Sequence, residues 1–278
     1  MNRRHFLLAT GAGVAGGAAV WAYFNSPGGS APFYHAGTVE ESFAANVEYP
    51  TDEDPADGVP PTASDPPAAP DADPSSFETL DVNGESVPLV PIDVAEQWYR
   101  RADARFVDAR GLDQYTRSHV YGAVCSPAQR GSSGGGIDGW PTGDRIVTYC
   151  GCPHHLSSLR AAGLQKAGYA EVYAIDEGFF EWSDRGYPMA GTTFRSESRA
   201  DVASWTIEGA VDPGHAGAYA WASADRQYEA APIDDTGAFS LTLHFADVTA
   251  ETPIEVSTPE FAVRRPLGEL AAGPIDGT

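Results

Sequence analysis

Two cysteines and two histidines lie close together in residues 149–155, which have the sequence Tyr-Cys-Gly-Cys-Pro-His-His. The segment follows an apolar, β-branched run at 146–148 and precedes a helix-forming run at 159–164. A thiol between a strand end and a helix N-terminus faces unpaired amides and the positive end of the helix dipole, which favour the reactive thiolate. Cys150 is therefore the predicted nucleophile.

The neighbours of Cys150 have several possible roles. Cys152 could act as a resolving thiol that converts a persulfide or sulfenate on Cys150 into a disulfide, or it could be a small buried hydrophobe. His154 and His155 could donate to an anionic acceptor or, when protonated, lower the pKa of Cys150. The alternative is that one histidine packs against the helix and the other faces water.

These two sulfurs and two imidazoles could also attract zinc or copper. A Cys-x-Cys pair beside adjacent histidines rarely converges on one ion without a second ligand loop, so we predict no metal site. The sequence predicts no cofactor either.

The overall composition is strongly acidic. The chain has 278 residues, 42% of them hydrophobic, and a formal net charge of -22, with Lys166 as the only lysine. This charge argues against nucleic acid as a partner and is typical of proteins that stay soluble in high salt, so we predict a halophilic, haloarchaeal source. Three cysteines are too few for a disulfide-built fold.

The N-terminal residues resemble a twin-arginine export signal, because Arg3 and Arg4 precede a glycine- and alanine-rich apolar stretch that extends to Phe24. The alternative is a transmembrane anchor, since the stretch is about long enough to span a bilayer. Residues 1–30 are thus predicted to be a signal or an anchor, and the protein is predicted to be extracellular or at the cell surface.

Residues 31–76 are predicted to be an acidic linker. The part from 49 to 76 is rich in proline, aspartate and alanine and contains too few apolar residues to offset the entropy of ordering it. We expect an extended chain that holds the folded part away from the membrane.

Residues 77–195 are predicted to form an α/β domain with a largely parallel sheet, because strand-like and helix-like runs alternate. The predicted strands are 87–91, 105–108, 123–126, 146–149 and 171–175, and the predicted helices are 92–101, 112–116, 157–167 and 178–184. Ser157 or Ser158 is the predicted N-cap of the third helix, and Gly168 suits a left-handed position at its end.

Residues 196–266 are predicted to form a small all-β sandwich, followed by a tail at 267–278. The predicted strands are 204–211, 217–222, 239–245, 254–256 and 260–264. Alternatively, these strands could extend the sheet of the first domain. His215 and His244 lack the spacing of metal ligands and are predicted to be surface or structural residues.

Further segments carry recognisable patterns. They are 106–110 (Phe-Val-Asp-Ala-Arg), 119–124 (His-Val-Tyr-Gly-Ala-Val), 168–172 (Gly-Tyr-Ala-Glu-Val), 176–182 (Asp-Glu-Gly-Phe-Phe-Glu-Trp) and 186–188 (Gly-Tyr-Pro). Together with Tyr149 and Cys150, their order and spacing resemble those of a rhodanese-like domain. The resemblance implies an α/β fold in which Cys150 carries a persulfide cradled by the amides of 151–157.

Carried over to this sequence, the resemblance gives a set of substrate-binding residues. They are Gly151, Pro153, Leu156 and Ser157. Two departures are visible: Pro153 has no N–H, and His155 and Leu156 stand where the family has an arginine, with one extra residue in the loop. Enlarged loops resemble those of phosphatase and arsenate-reductase relatives, but those enzymes require the arginine to bind an oxyanion, so a phosphatase is disfavoured.

The predicted function is an exported sulfurtransferase, in which Cys150 takes sulfur from a small donor and passes it to a thiol or cyanide-like acceptor. One alternative is a non-catalytic module at the cell surface that uses the rhodanese-like fold and the β domain to bind a protein or a ligand. Another is a thiol–disulfide or metal site at Cys150 and Cys152. Outside the loop, Cys125 is predicted to pack in a strand, Asp108 and Arg110 to form a structural pair, and Trp182 to lie in the core or a pocket wall.

Overall fold

The computed structural model of the protein describes residues 42–43, 57–60, 63, 65–130, 136–151, 153–192 and 203–276. The strands are β1 (Ser42–Phe43), β2 (Thr79–Val82), β3 (Glu85–Val90), β4 (Arg105–Asp108), β5 (His119–Val120), β6 (Val124–Cys125), β7 (Arg145–Tyr149), β8 (Glu171–Ile175), β9 (Met189–Ala190), β10 (Trp205–Ala210), β11 (Tyr219–Ala224), β12 (Gln227–Pro232), β13 (Ala238–Leu243), β14 (Pro253–Ser257) and β15 (Ala262–Pro266). The helices are α1 (Ile92–Arg100), α2 (Leu112–Arg117), α3 (His155–Lys166), α4 (Gly178–Asp184) and α5 (Leu267–Leu270).

The predicted export signal at 1–30 and the thiol of Cys152 lie outside the described residues. Within the described ranges, we find no helix with the length and apolar character needed to cross a membrane.

The main sheet of the described chain has six strands in the order β2-β3-β8-β7-β4-β6. β3, β8, β7, β4 and β6 run parallel to their neighbours, and only β2 pairs antiparallel with β3. Parallel neighbours need long crossovers, which the intervening helices supply. The predicted α/β domain with a largely parallel sheet is confirmed, and β4, β8 and α4 have the predicted bounds.

The two faces of this sheet bury different side chains. Val107 and Ile146 face the apolar side of α3, whereas Phe106 on the opposite face packs with Tyr99 and Trp182. The rings of Tyr99 and Trp182 meet edge-on with centroids 5.2 Å apart. Trp182 is therefore a core residue, as predicted, and Cys125 is buried in β6.

Part of the predicted linker packs against the domain. The N–H of Gly58 donates to the carbonyl of Gly122 at 2.9 Å, and the carbonyl of Gly58 accepts from the N–H of Phe106 at 2.7 Å. The N–H of Ala63 donates to the carbonyl of Arg100 at 3.0 Å. Composition predicted an extended chain here, but these backbone groups are paired with the folded domain instead.

The C-terminal strands form two antiparallel sheets, separate from the main sheet. β10 pairs with β13, and the other sheet has the order β12-β11-β14-β15. Ile207 and Leu241 from the first sheet share one buried cluster with Ala222 and Val256 from the second. This arrangement is consistent with the predicted β domain.

Two parts of this domain differ from the sequence prediction. β12 was not predicted, because Gln227–Pro232 has no regular apolar alternation. The predicted tail contains α5, whose Leu267 and Leu270 are buried in the shared cluster. Their spacing of three residues places both on one face of a helical turn, which explains why this short segment packs instead of extending into solvent.

The β domain lies directly on the start of α2. The side-chain oxygen of Gln114 accepts from the N–H of Gly111 at 3.0 Å and from the N–H of Tyr228 in β12 at 3.1 Å. A Cβ on Gly111 would stand 1.8 Å from the carbonyl oxygen of Arg226. Only a residue without a side chain permits this approach of the two domains.

Gly111→Ala is expected to lower the free energy of unfolding by about 1–3 kcal/mol, because the added methyl group forces the domains apart. The φ of Gly111 is -71°, which alanine adopts without strain, so the effect isolates the crowding. Denaturant unfolding measures the change.

Gly143→Ala is the matched control, since a Cβ there would meet nothing within 4 Å. Equal effects of the two substitutions would contradict the proposed close contact.

Candidate active site

Cys150 follows β7 at the carboxyl end of the parallel sheet, where the register pairs Tyr149 with Asp108 of β4. Its side chain is fully buried, at 0% exposure, in the apolar cluster that includes Ala109 and Leu156. The thiol donates a hydrogen bond to the Ser157 hydroxyl oxygen, 3.3 Å away. The nucleophile predicted from the sequence is thus a buried thiol that is hydrogen-bonded to a side chain of the adjoining helix.

The helix after Cys150 begins earlier than predicted. α3 starts at His155, because His154 adopts a left-handed conformation with φ of 73° and turns the chain into the helix. The prediction that Ser157 or Ser158 is the N-cap is wrong, since both lie in the first turn. The N–H and the hydroxyl of Ser158 donate to the carbonyl of His154.

This early start directs the helix N-terminus at the cysteine. The N–H groups of a first helical turn have no acceptor within the helix and carry the positive end of its dipole. Because the helix begins at His155, Ser157 belongs to that first turn and its hydroxyl faces Cys150. Pro153 contributes no N–H to the loop.

Backbone contacts from two further elements fix the position of Cys150. The hydroxyl of Thr148 donates to the carbonyl of Ser157 at 2.9 Å and lies 3.1 Å from the carbonyl of Tyr173 in β8. The N–H of Phe179 in α4 donates to the carbonyl of Cys150 at 2.9 Å. The thiol is therefore held by β7, α3 and α4 together.

The two histidines of the loop have partners away from Cys150. The Nε2 of His154 lies 2.6 Å from a carboxylate oxygen of Asp176. Burial lowers the pKa of His155, the nearby His154 lowers it further, and a hydrogen bond to the backbone of Ala230 in β12 partly opposes this. A catalytic role for either histidine stays a prediction.

Asp108 and Arg110 form a buried ion pair beside the site, as predicted. The guanidinium donates to the carboxylate at 2.7 Å and to the carbonyl of Ser118 at 2.6 Å. It also lies 3.7 Å above the ring of Phe179. Because removing one partner would strand a buried charge, the pair fixes the strand end next to the cysteine loop.

Gly151 is buried beneath two side chains. A Cβ built on it would lie 3.3 Å from the ring of Phe180 and 3.9 Å from Cδ of Arg110. Of the other predicted binding residues, Leu156 is buried in the core and Pro153 is exposed. Among the described residues, no group of three or more His, Cys, Asp or Glu side chains is placed to hold a metal ion.

A small pocket opens beside this loop, between the two domains. Its lining includes Arg110, Arg117 and Phe180 from the α/β domain and Gln227 and His244 from the β domain. Sequence reasoning missed the contribution of the β domain. The pattern around His244 gives no sign of it, because the contact depends on how the domains pack.

Comparison with known proteins supports the resemblance. The family model of the rhodanese-like domain matches residues 92–185. A search of curated proteins gives no match. Residues 92–185 therefore form a rhodanese-like domain, which implies a sulfur donor and an acceptor as substrates.

Solved structures of low sequence identity are also similar. The rhodanese-like domain of the Alr3790 protein from Anabaena is 20% identical, with a TM-score of 0.35, over 42% of this chain and 87% of that one. A thiosulfate sulfurtransferase from Pseudomonas aeruginosa is 20% identical, with a TM-score of 0.33, over 37% of this chain. The match spans only 20% of that enzyme.

His155→Asn is expected to reduce the loss of stability at acid pH. The pKa of His155 is lowered in the folded protein, so the unfolded chain binds the proton more readily and wild-type stability falls as the pH drops below about 6.5. Unfolding at pH 8 gives the purely structural effect of the substitution. A wild-type-to-variant difference that is the same at pH 8 and pH 5.5 would contradict this account.

Proposed function

We propose that the protein is a sulfurtransferase that carries a persulfide on Cys150. The observation that supports it most strongly is the hydrogen bond between the Cys150 thiol and the Ser157 hydroxyl at the N-terminus of α3. A helix N-terminus stabilises an anion at this position, and the thiolate is the form that attacks sulfur.

In the first half-reaction, the Cys150 thiolate attacks the outer sulfur of a thiosulfate-like donor. A sulfur–sulfur bond to Cys150 forms while that of the donor breaks, and sulfite leaves with the electron pair. In the second half-reaction, the acceptor attacks the terminal sulfur of the persulfide. The sulfur–sulfur bond breaks and the Cys150 thiolate is restored.

The anionic sulfur in this mechanism is stabilised mainly by dipoles. The family arginine is absent from the loop, and the nearby guanidinium of Arg110 is neutralised by Asp108 at 2.7 Å. The groups that stabilise the anionic sulfur are the Ser157 hydroxyl, which can rotate to donate to a thiolate, and the first-turn amides of α3. In a buried site such fixed dipoles act with little screening.

A second candidate, a non-catalytic binding module, is supported by a different observation. Cys150 is 0% exposed, and Gly151 beside it lies under Phe180 and Arg110. A sulfur donor must pass these side chains, whereas a ligand bound between the domains would not need to reach the thiol.

Thiocyanate formation from thiosulfate and cyanide, measured in high salt, separates these candidates. Cys150→Ser is expected to reduce the rate to the uncatalysed level, because the persulfide cannot form. Cys125→Ser is the matched control: it changes another buried thiol, in β6, and is expected to retain activity.

The result that contradicts sulfur transfer is a folded wild-type protein without activity above background, which favours the binding module. Loss of activity with Cys152→Ser as well as with Cys150→Ser would instead indicate a thiol–disulfide pair.

We also propose that the protein is exported and resides outside the cell or at its surface, where the β domain meets a protein partner. The support is the Arg3-Arg4 pair before an apolar stretch, followed by an acidic segment. Replacing both arginines by lysine is expected to leave the protein inside the cell, as measured by fractionation. Unchanged export would contradict a twin-arginine signal.

A further inference from the structure

The ionisable side chains that line the pocket between the domains are basic, although the chain as a whole is acidic. The sequence contains 39 acidic residues and 17 Lys and Arg residues, yet the pocket lining contains two arginines and a histidine and no carboxylate. The lining therefore presents guanidinium and imidazole groups, which can donate hydrogen bonds to an anion or to another acceptor.

The two arginines of the pocket differ in how firmly they are neutralised. Arg110 is buried against the fully buried Asp108. Arg117 is 29% exposed, and its partner Asp247 of the β domain, 2.6 Å away, is 82% exposed. An exposed pair of this kind is weak and is screened by salt, so Arg117 can be shared with a bound anion.

The β domain presents His244 to the same pocket. Leu243 and Phe245 on either side of it are buried in the β-domain core, so the alternation of an extended chain directs His244 away from that core. Its ring lies 5.2 Å from that of Phe180, measured between centroids. An imidazole donates a hydrogen bond to an anion when the ring nitrogen that faces the anion carries the proton.

The pocket borders the cysteine loop. Phe180 lines the pocket and also covers Gly151, the residue after Cys150. The enclosed part of the pocket is only about 20 Å³, which is room for about one water molecule, and the rest is open to solvent. A small inorganic anion would therefore bind at the open mouth of the pocket, with Phe180 and Arg110 between it and the cysteine loop.

We propose that this pocket binds the anionic group of the sulfur donor through Arg117 and His244, so that the β domain supplies part of the substrate site. The ligand class is a small sulfur oxyanion such as thiosulfate. This inference rests on the proposed sulfur transfer, but binding can be measured without the reaction.

The test is a calorimetric titration of the full-length Cys150→Ser protein with sodium thiosulfate. Arg117→Gln is expected to raise the dissociation constant by about tenfold or more, the usual effect of losing a hydrogen bond to a charged group. His244→Phe keeps a ring beside Phe180 but has no donor, and is expected to raise the constant by about threefold or more.

Two control variants separate anion binding from domain packing. Asp247→Asn breaks the same interdomain ion pair as Arg117→Gln but leaves the positive charge in the pocket, so the affinity should stay the same or increase. Arg226→Gln breaks another interdomain ion pair, with Asp113 at 2.6 Å, outside the pocket lining, and should leave the affinity unchanged.

Equal weakening by Arg117→Gln and Asp247→Asn would overturn the proposal, as would the absence of thiosulfate binding. Thermal unfolding checks that each variant is folded; if Cys150→Ser fails this check, the wild-type protein is titrated with sulfate instead. Arg117-dependent binding without thiocyanate formation supports the pocket and contradicts sulfur transfer. Thiocyanate formation together with thiosulfate binding that does not depend on Arg117 supports sulfur transfer and contradicts the pocket proposal.

Discussion

The thiol of Cys150 is a polar group in an apolar cluster, and its hydrogen bond to Ser157 at 3.3 Å gives it a partner there. Buried polar groups need such partners, so the positions of the neighbouring elements are constrained. Thr148 fixes the backbone of Ser157, and the N–H of Phe179 fixes that of Cys150. The end of β7 and the starts of α3 and α4 must therefore meet at one point, which a parallel sheet with helices on both faces provides.

The features that were predicted correctly from the sequence are those that local patterns determine. β4, β8 and α4 follow from apolar periodicity, a local property, and Cys150 follows from its place between a strand and a helix. The start of α3 could not be predicted from such patterns. The left-handed turn before this helix falls on His154, whereas sequence patterns identify such turns mainly at glycine. Ser157 was predicted among the substrate-binding residues, but the N-cap prediction assigned its hydroxyl to the helix backbone instead of to the Cys150 thiol.

Features that depend on contacts between distant segments were also missed. The backbone pairing of Gly58 with Gly122 and Phe106 arises from packing that no local pattern encodes. The pocket is the clearest case: Arg117 and His244 are far apart in the sequence and line one pocket because the β domain packs on α2, where Gly111 lies against the backbone of Arg226. No site residue was predicted in the β domain, yet Gln227 and His244 of this domain line the pocket beside the cysteine loop.

Intact-mass analysis after treatment with thiosulfate tests the central claim, that Cys150 carries the transferred sulfur, most directly. The account predicts that the wild-type protein gains the mass of one sulfur atom, that cyanide removes it, and that Cys150→Ser gains nothing while Cys125→Ser behaves like the wild type. A folded wild-type protein that gains no sulfur, or a Cys150→Ser protein that still gains it, would contradict the account.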